Sequence, residues 1–271
     1  MPSLIKQITS LRRGQTPYGL APHKPVLLLA VIDGFKKGYL SSRQIPVSPE
    51  LLTGFRDCWS LLVDTRHVST FALPFFHLGS EPSGIWQLNP YPGKTIPVTK
   101  SNSIKSFKAL HETVRSATIS AELFQALCIP AQRDELERAL RKRYFPGTAS
   151  RIGQPYPAWS ETVKDEILYD PGENYARRVI RRMEELTLPE REEEIILRSH
   201  IFKTAVLSLY DHRCAVSGLK IEAPGNITMV DACHIVPFAE SADDTITNGI
   251  ALAPTIHRPP APPPQKIRFY L

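Results

Sequence analysis

The stretch Val230-Asp-Ala-Cys-His-Ile-Val-Pro237, followed by Asn248-Gly-Ile-Ala-Leu-Ala-Pro-Thr-Ile-His-Arg258, decides how the C-terminal part of this chain folds. The apolar run ending near His234 reads as a strand, and Asp243 to Gly249 reads as a polar connecting loop. Pro254-Thr255 reads as a helix start that carries His257 in the first turn. Just upstream, Tyr210-Asp-His-Arg-Cys-Ala-Val-Ser-Gly218 reads as a partner strand, the two forming a hairpin around the loop Glu222-Ala-Pro-Gly-Asn226. The layout puts one histidine at a strand end, an asparagine in a loop and a second histidine on a helix. Metal-assisted phosphodiester hydrolysis needs such a grouping. A neutral imidazole can take a proton from water near pH 7. A hard divalent cation neutralises charge on the phosphate and leaving oxygen, and a loop amide holds the geometry without adding charge.

The same segments, together with Asp211-His-Arg-Cys-Ala-Val-Ser-Gly218, resemble the HNH domain of restriction endonucleases, in the ββα-metal nuclease superfamily, over about residues 198–258. The resemblance implies that His234 is the general base, Asn248 the loop-orienting residue and His257 a metal ligand, with Asp231 near the metal. It implies a divalent ion, Mg²⁺ or Mn²⁺. Many such domains carry an aspartate directly before the first histidine; here Cys233 stands there. A cysteine ligand would favour a softer metal, and packing in the strand is the preferred reading of Cys233. In the family the helix continues past the last histidine, whereas Pro259 and Pro260 follow Arg258 here. Consecutive prolines break a helix, so a truncated last helix is expected. An inactive HNH remnant on a DNA-binding protein is the alternative reading. The proline-rich residues 259–271 are expected to be a disordered tail.

Upstream, Pro189-Glu-Arg-Glu-Glu-Glu194 opens a helix, its glutamates read as a solvated face at the positive helix start. Another helical stretch carries Arg177, Arg178, Arg181 and Arg182. The Gly-, Pro- and Ser-rich residues 148–174 read as a linker between a domain over 1–147 and the HNH domain over 175–258. In the first domain, Val26 to Ile32 reads as a buried helix ended at Gly38. Ser48-Pro49-Glu50 reads as N-cap, first position and first-turn acid of a second helix to about Val63. Residues 71–78 and 84–88 read as two short strands. Helical patterns return at 102–115, 120–128 and 130–144. The expected class is therefore α+β: a mainly helical N-terminal domain with a small sheet, then the ββα-metal domain.

Charge is divided unevenly. Residues 1–150 hold 19 Lys and Arg against 10 Asp and Glu, a balance of +9, while residues 151–271 hold 14 against 17, a balance of −3. A basic domain attracts polyanions and gains affinity from counterion release. Ala21-Pro-His-Lys-Pro-Val-Leu-Leu-Leu29, Leu73-Pro-Phe-Phe-His-Leu78 and Gly84-Ile-Trp-Gln-Leu88 resemble the domain that precedes HNH in these endonucleases, whose relatives bind phosphorothioate-modified DNA. That resemblance implies Pro74, with Phe75, as the wall contacting sulfur, and Arg66, His67 and His77 as the basic surround. Here Leu73 stands where the family often has tyrosine. The expected partner is double-stranded DNA that carries a modification. Four scattered cysteines without a Cys-x-x-Cys pair argue against a zinc ribbon or redox site. No apolar run reaches the ~20 residues of a membrane span, so a cytoplasmic protein is expected.

Overall fold

A computed structural model describes residues 1–96, 104–151, 158–170, 172–220, 222–223 and 227–257. The fold is α+β. Internal contacts divide it into two units, Met1–Val163 with Arg182–Arg198, and Lys164–Arg181 with the described residues from Ser199 onward.

The first unit begins with helix α1 (Pro2–Thr9) and a two-stranded ribbon, β1 (Gln15–Thr16) and β2 (Gly19–Leu20). Helix α2 (His23–Lys37) is buried at every position from Pro25 to Ile32 and ends at Gly38, whose φ of 81° lies in the left-handed region. A glycine meets that conformation without strain, which is how the sequence stops this helix. Strand β3 (Gln44–Pro46) leads to α3 (Pro49–Leu62), where the Ser48 hydroxyl accepts the Leu51 N–H at 3.3 Å and Glu50 sits in the first turn. Then come α4 (Ala72–Leu78), β4 (Trp86–Pro90), α5 (Phe107–Thr113), β5 (Val114–Ile119), α6 (Ala121–Cys128) and α7 (Pro130–Tyr144).

The three strands form one antiparallel sheet in the order β3-β5-β4. Pro46 is tolerated because β3 lies at the edge, where a missing donor breaks no ladder. A chain of aromatic rings fills the core: Phe71 meets Phe55, Phe75 and Phe107 at 5.5–5.8 Å, and Trp86 meets Phe75 at 5.0 Å while donating its indole N–H to the Phe75 carbonyl.

Two expectations for this unit are corrected. The strand read at 71–78 is α4. Phe71, Phe75 and Leu78 fall at helical spacing on the core side, and Pro74 occupies the first turn, where its missing N–H has no intrahelical partner to lose. The helix read over 102–115 ends at Thr113 and passes directly into β5, whose Val114, Ala117 and Ile119 are buried; residues 97–103 lie outside the described ones.

Helices α8 (Trp159–Tyr169), α9 (Gly172–Glu185) and α10 (Leu188–Leu209) each contribute residues to both units. The stretch read as a linker thus contains α8. The acidic face read at 190–194 is also corrected in part. Glu193 is fully buried and accepts the Phe71 N–H at 2.9 Å. Glu194, also buried, lies 3.8–3.9 Å from Arg56, Arg182 and Arg198. Burying these carboxylates is tolerable because one finds a backbone donor and the other a set of guanidiniums.

The second unit continues with β6 (Glu222–Ala223) and β7 (Ile227–Thr228), which pair with each other, then β8 (Asp231–His234), α11 (Phe238–Ser241), β9 (Gly249–Leu252) and α12 (Pro254–His257). Residues 210–218 form turns and not the expected strand. Asp211 and His212 take φ values of 51° and 56°, incompatible with extended backbone. The partner of β8 is β9. Residues 224–226 of the expected hairpin loop, and the proline-rich tail from 258, lie outside the described residues. Among the described residues no helix is long and apolar enough to cross a membrane.

Candidate active site

Strands β8 and β9 run antiparallel with His234 opposite Gly249, Cys233 opposite Ile250, and Asp231 opposite Leu252. Directly paired side chains point to the same side of a sheet and successive ones alternate. Ala232, His234, Gly249 and Ala251 therefore share one face, and Asp231, Cys233, Ile250 and Leu252 the other. Helix α10 closes on the first face. A Cβ added to Gly249 would stand 2.5 Å from Val206 Cγ2 and 3.1 Å from the Phe202 ring. With glycine and alanine beneath it, the helix comes near enough for Phe202 to stack flat on the His234 imidazole, centroids 4.0 Å apart and planes 3° from parallel. Phe238 of α11 approaches the same imidazole at 5.9 Å.

This setting determines the protonation of His234. Partial burial against two aromatic rings disfavours the cation and outweighs the nearby Asp244 and Asp243, which favour it, so the pKa falls below the ordinary 6.5. The imidazole is neutral at pH 7. Its Nε2 is buried and has no hydrogen-bond partner among the described residues. A ring nitrogen in that state is suited to a substrate-derived proton, a water or an ion.

Asn248, buried just before β9, fixes the chain that leaves His234. Its Oδ1 accepts the Val236 N–H at 2.8 Å, and its Nδ2 donates to the carbonyls of Val236 at 2.9 Å and Asp243 at 2.8 Å. Its own carbonyl accepts the Ile235 N–H at 2.8 Å. One side chain thus ties together the two ends of the loop. Asp244, 2% exposed, is held by the Tyr175 hydroxyl of α9.

Of the four residues expected here, the structure brings His234 and Asn248 together. Asp231 lies with Cys233 on the sheet face opposite to that of His234. Cys233 is buried and packs in the strand, the reading preferred from the sequence. His257 closes α12, and its side chain lies outside the described residues. Among the described residues no three His, Cys, Asp or Glu side chains gather around a possible ion. Phe202, Tyr175, Asp244 and Gly249 were missed as contributors to the site. That Phe202 faces His234 appears only in the folded arrangement of α10 on the strands.

The N-terminal candidates differ in exposure. Phe75 is fully buried among Phe71 and Trp86, and Pro74 is buried beside it, so neither offers the surface wall expected. Arg66 is exposed, and His77 is half-buried beside Phe76. His67 shares hydrogen bonds of 2.7 Å with the hydroxyls of Thr16 and Thr65 and lies edge-on to Tyr18 and His23. His23, bonded to the Val68 carbonyl, is pulled down to about 4, chiefly by burial. Arg66 thus adjoins in the chain a corner where His67 and His23 meet.

No curated protein matches the chain. Residues 214–258 match the family model described as HNH endonuclease, the stretch that holds His234, Asn248 and His257. The C-terminal part of the chain is thus similar to an HNH domain, which suggests nuclease activity on nucleic acid; such domains in general use a divalent metal.

Proposed function

We propose that the chain is a DNA endonuclease in which the HNH domain hydrolyses phosphodiester bonds and the basic N-terminal unit holds the duplex. The observation that carries this reading is the neutral imidazole of His234, with Nε2 unpartnered, at the end of a strand locked by Asn248. His234 takes the proton of an attacking water, and the Phe202 stack keeps the ring from turning away. Asn248 prevents the following loop from drifting. When bound, a divalent ion such as Mg²⁺ or Mn²⁺, held in part by His257, supplies charge neutralisation at the phosphate and leaving oxygen. The finer reading, selection of phosphorothioate-modified DNA in a restriction role, loses the buried Pro74–Phe75 wall and rests on the sequence resemblance alone.

One sequence feature favours a second reading, a DNA-binding protein with an inactive HNH remnant. Pro259 and Pro260 cannot extend a helix beyond His257 in the family's manner. Plasmid with and without phosphorothioate linkages, incubated with the full chain and Mg²⁺ or Mn²⁺, separates the two. The nuclease reading expects cutting that a chelator stops and His234→Ala slows by orders of magnitude. Binding without metal-dependent cutting supports the remnant, and equal cutting of both plasmids removes the modification dependence.

A further inference from the structure

Tyr144, the last residue of α7, is pinned by its hydroxyl to the end of α1 and the segment that follows it. It accepts the Leu11 N–H at 3.0 Å and donates to the Ile8 carbonyl at 3.1 Å. Two guanidinium groups sit on its ring, Arg13 at 5.0 Å from the centroid and Arg143 at 5.7 Å. Arg143 is steadied further by donating from Nε to the Thr9 carbonyl at 3.3 Å. Neither guanidinium forms an ion pair among the described residues. Glu81, which acts electrostatically on Tyr144, is already committed to Lys24 and to the backbone N–H of Arg12.

Two like charges held on one ring with no counter-charge repel each other. At Arg13 burial is the largest influence and disfavours the protonated form, Tyr144 favours it, and Arg143 adds a smaller effect against it. A helix C-terminus attracts basic residues for its dipole alone, which accounts for Lys142 and Arg143. It does not account for Arg13, which arrives from the loop after α1. The cation–π contacts and the hydrogen bonds of Tyr144 hold the pair in place, and an anion between the forks would relieve the repulsion.

We propose that Arg13 and Arg143, presented on the Tyr144 ring, form a clip for a backbone phosphate of nucleic acid. Arginine suits the task because its planar fork matches phosphate oxygens and stacks on an aromatic face at the same time. Exposed Arg12 and Lys142 adjoin the pair in the chain and extend the positive surface. The proposal rests on the nucleic-acid reading above and assigns a contact surface to the N-terminal unit.

The test is fluorescence anisotropy of a labelled short duplex DNA of arbitrary sequence, titrated with the full chain at rising salt and with chelator present. No cutting step is involved. Arg13→Gln with Arg143→Gln should weaken binding about tenfold and reduce the magnitude of the log-affinity against log-salt slope by about 1–2. Arg13→Lys with Arg143→Lys, which keeps the charges, should retain the slope while losing part of the affinity. An unaltered chain that binds with a salt slope the double glutamine variant leaves untouched overturns the clip alone. No binding by the unaltered chain overturns the nucleic-acid reading and the clip with it. Melting temperatures of both double variants check that lost binding is not lost folding, and the lysine pair carries the test if the glutamine pair melts early.

Discussion

At His234, burial and charge pull in opposite directions. The Phe202 and Phe238 rings remove water from the imidazole and lower its pKa, while Asp244 and Asp243 raise it, and burial wins. A general base must be unprotonated, so cleavage should fail on the acid side only as pH drops through a value below the ordinary 6.5. Asp244→Asn removes one of the groups that favour the cation and should shift that acid limb to still lower pH. A pH profile of kcat/KM for both proteins measures this; a limb above 6.5, or one moved upward by the substitution, contradicts the electrostatics described. The sequence pointed to His234 and Asn248 because both stand in the stretch that resembles the HNH motif. It did not expose Asp244 or Phe202, whose effect on the imidazole depends on how a loop and a helix fold back onto β8.

Between elements, the tightest constraint is Gly249 under α10. Its φ of −109° is open to any residue, so glycine is needed here for space and not for backbone freedom. Gly249→Ala places a methyl 2.5 Å from Val206 Cγ2, and the branched valine has little rotamer freedom to escape. The strand or helix must shift, at a cost of about 1–3 kcal/mol, and the Phe202 stack on His234 should loosen with it. A lower melting temperature together with reduced cleavage is expected; an unchanged protein on both measures would show that α10 does not press on the sheet. Local signals served well where a rule is local. The Ser48-Pro49-Glu50 cap and the Gly38 stop were read from the sequence and stand in the structure. The errors came where neighbours decide. Residues 71–78 contain phenylalanines that suit a strand, yet the helical spacing of Phe71, Phe75 and Leu78 meets the aromatic core. Residues 210–218 have strand-like composition but turn through two left-handed positions.

Over the whole molecule, the α+β class and an HNH domain near the C-terminus were legible, because composition and one dense motif suffice for them. How the units share the chain was not, since three helices contribute residues to both and the division follows contacts that no local pattern reveals. The first half of α10 is tied into the N-terminal unit by Glu193, whose pKa is pushed up to about 7, chiefly by burial. A carboxyl with a raised native pKa adds stability that is complete below its unfolded value and lost as pH rises through about 7. The melting temperature should therefore decline between about pH 5 and 8, and Glu193→Gln should flatten this decline; an unaffected slope would place the pH dependence elsewhere. The nuclease account itself depends on one imidazole. Its most direct test is the single-turnover rate of metal-dependent plasmid cleavage by the unaltered chain and by His234→Ala at matched DNA occupancy. Loss of the base should slow cleavage by about 10²–10⁴-fold with DNA affinity intact, whereas equal rates would contradict the role assigned to His234.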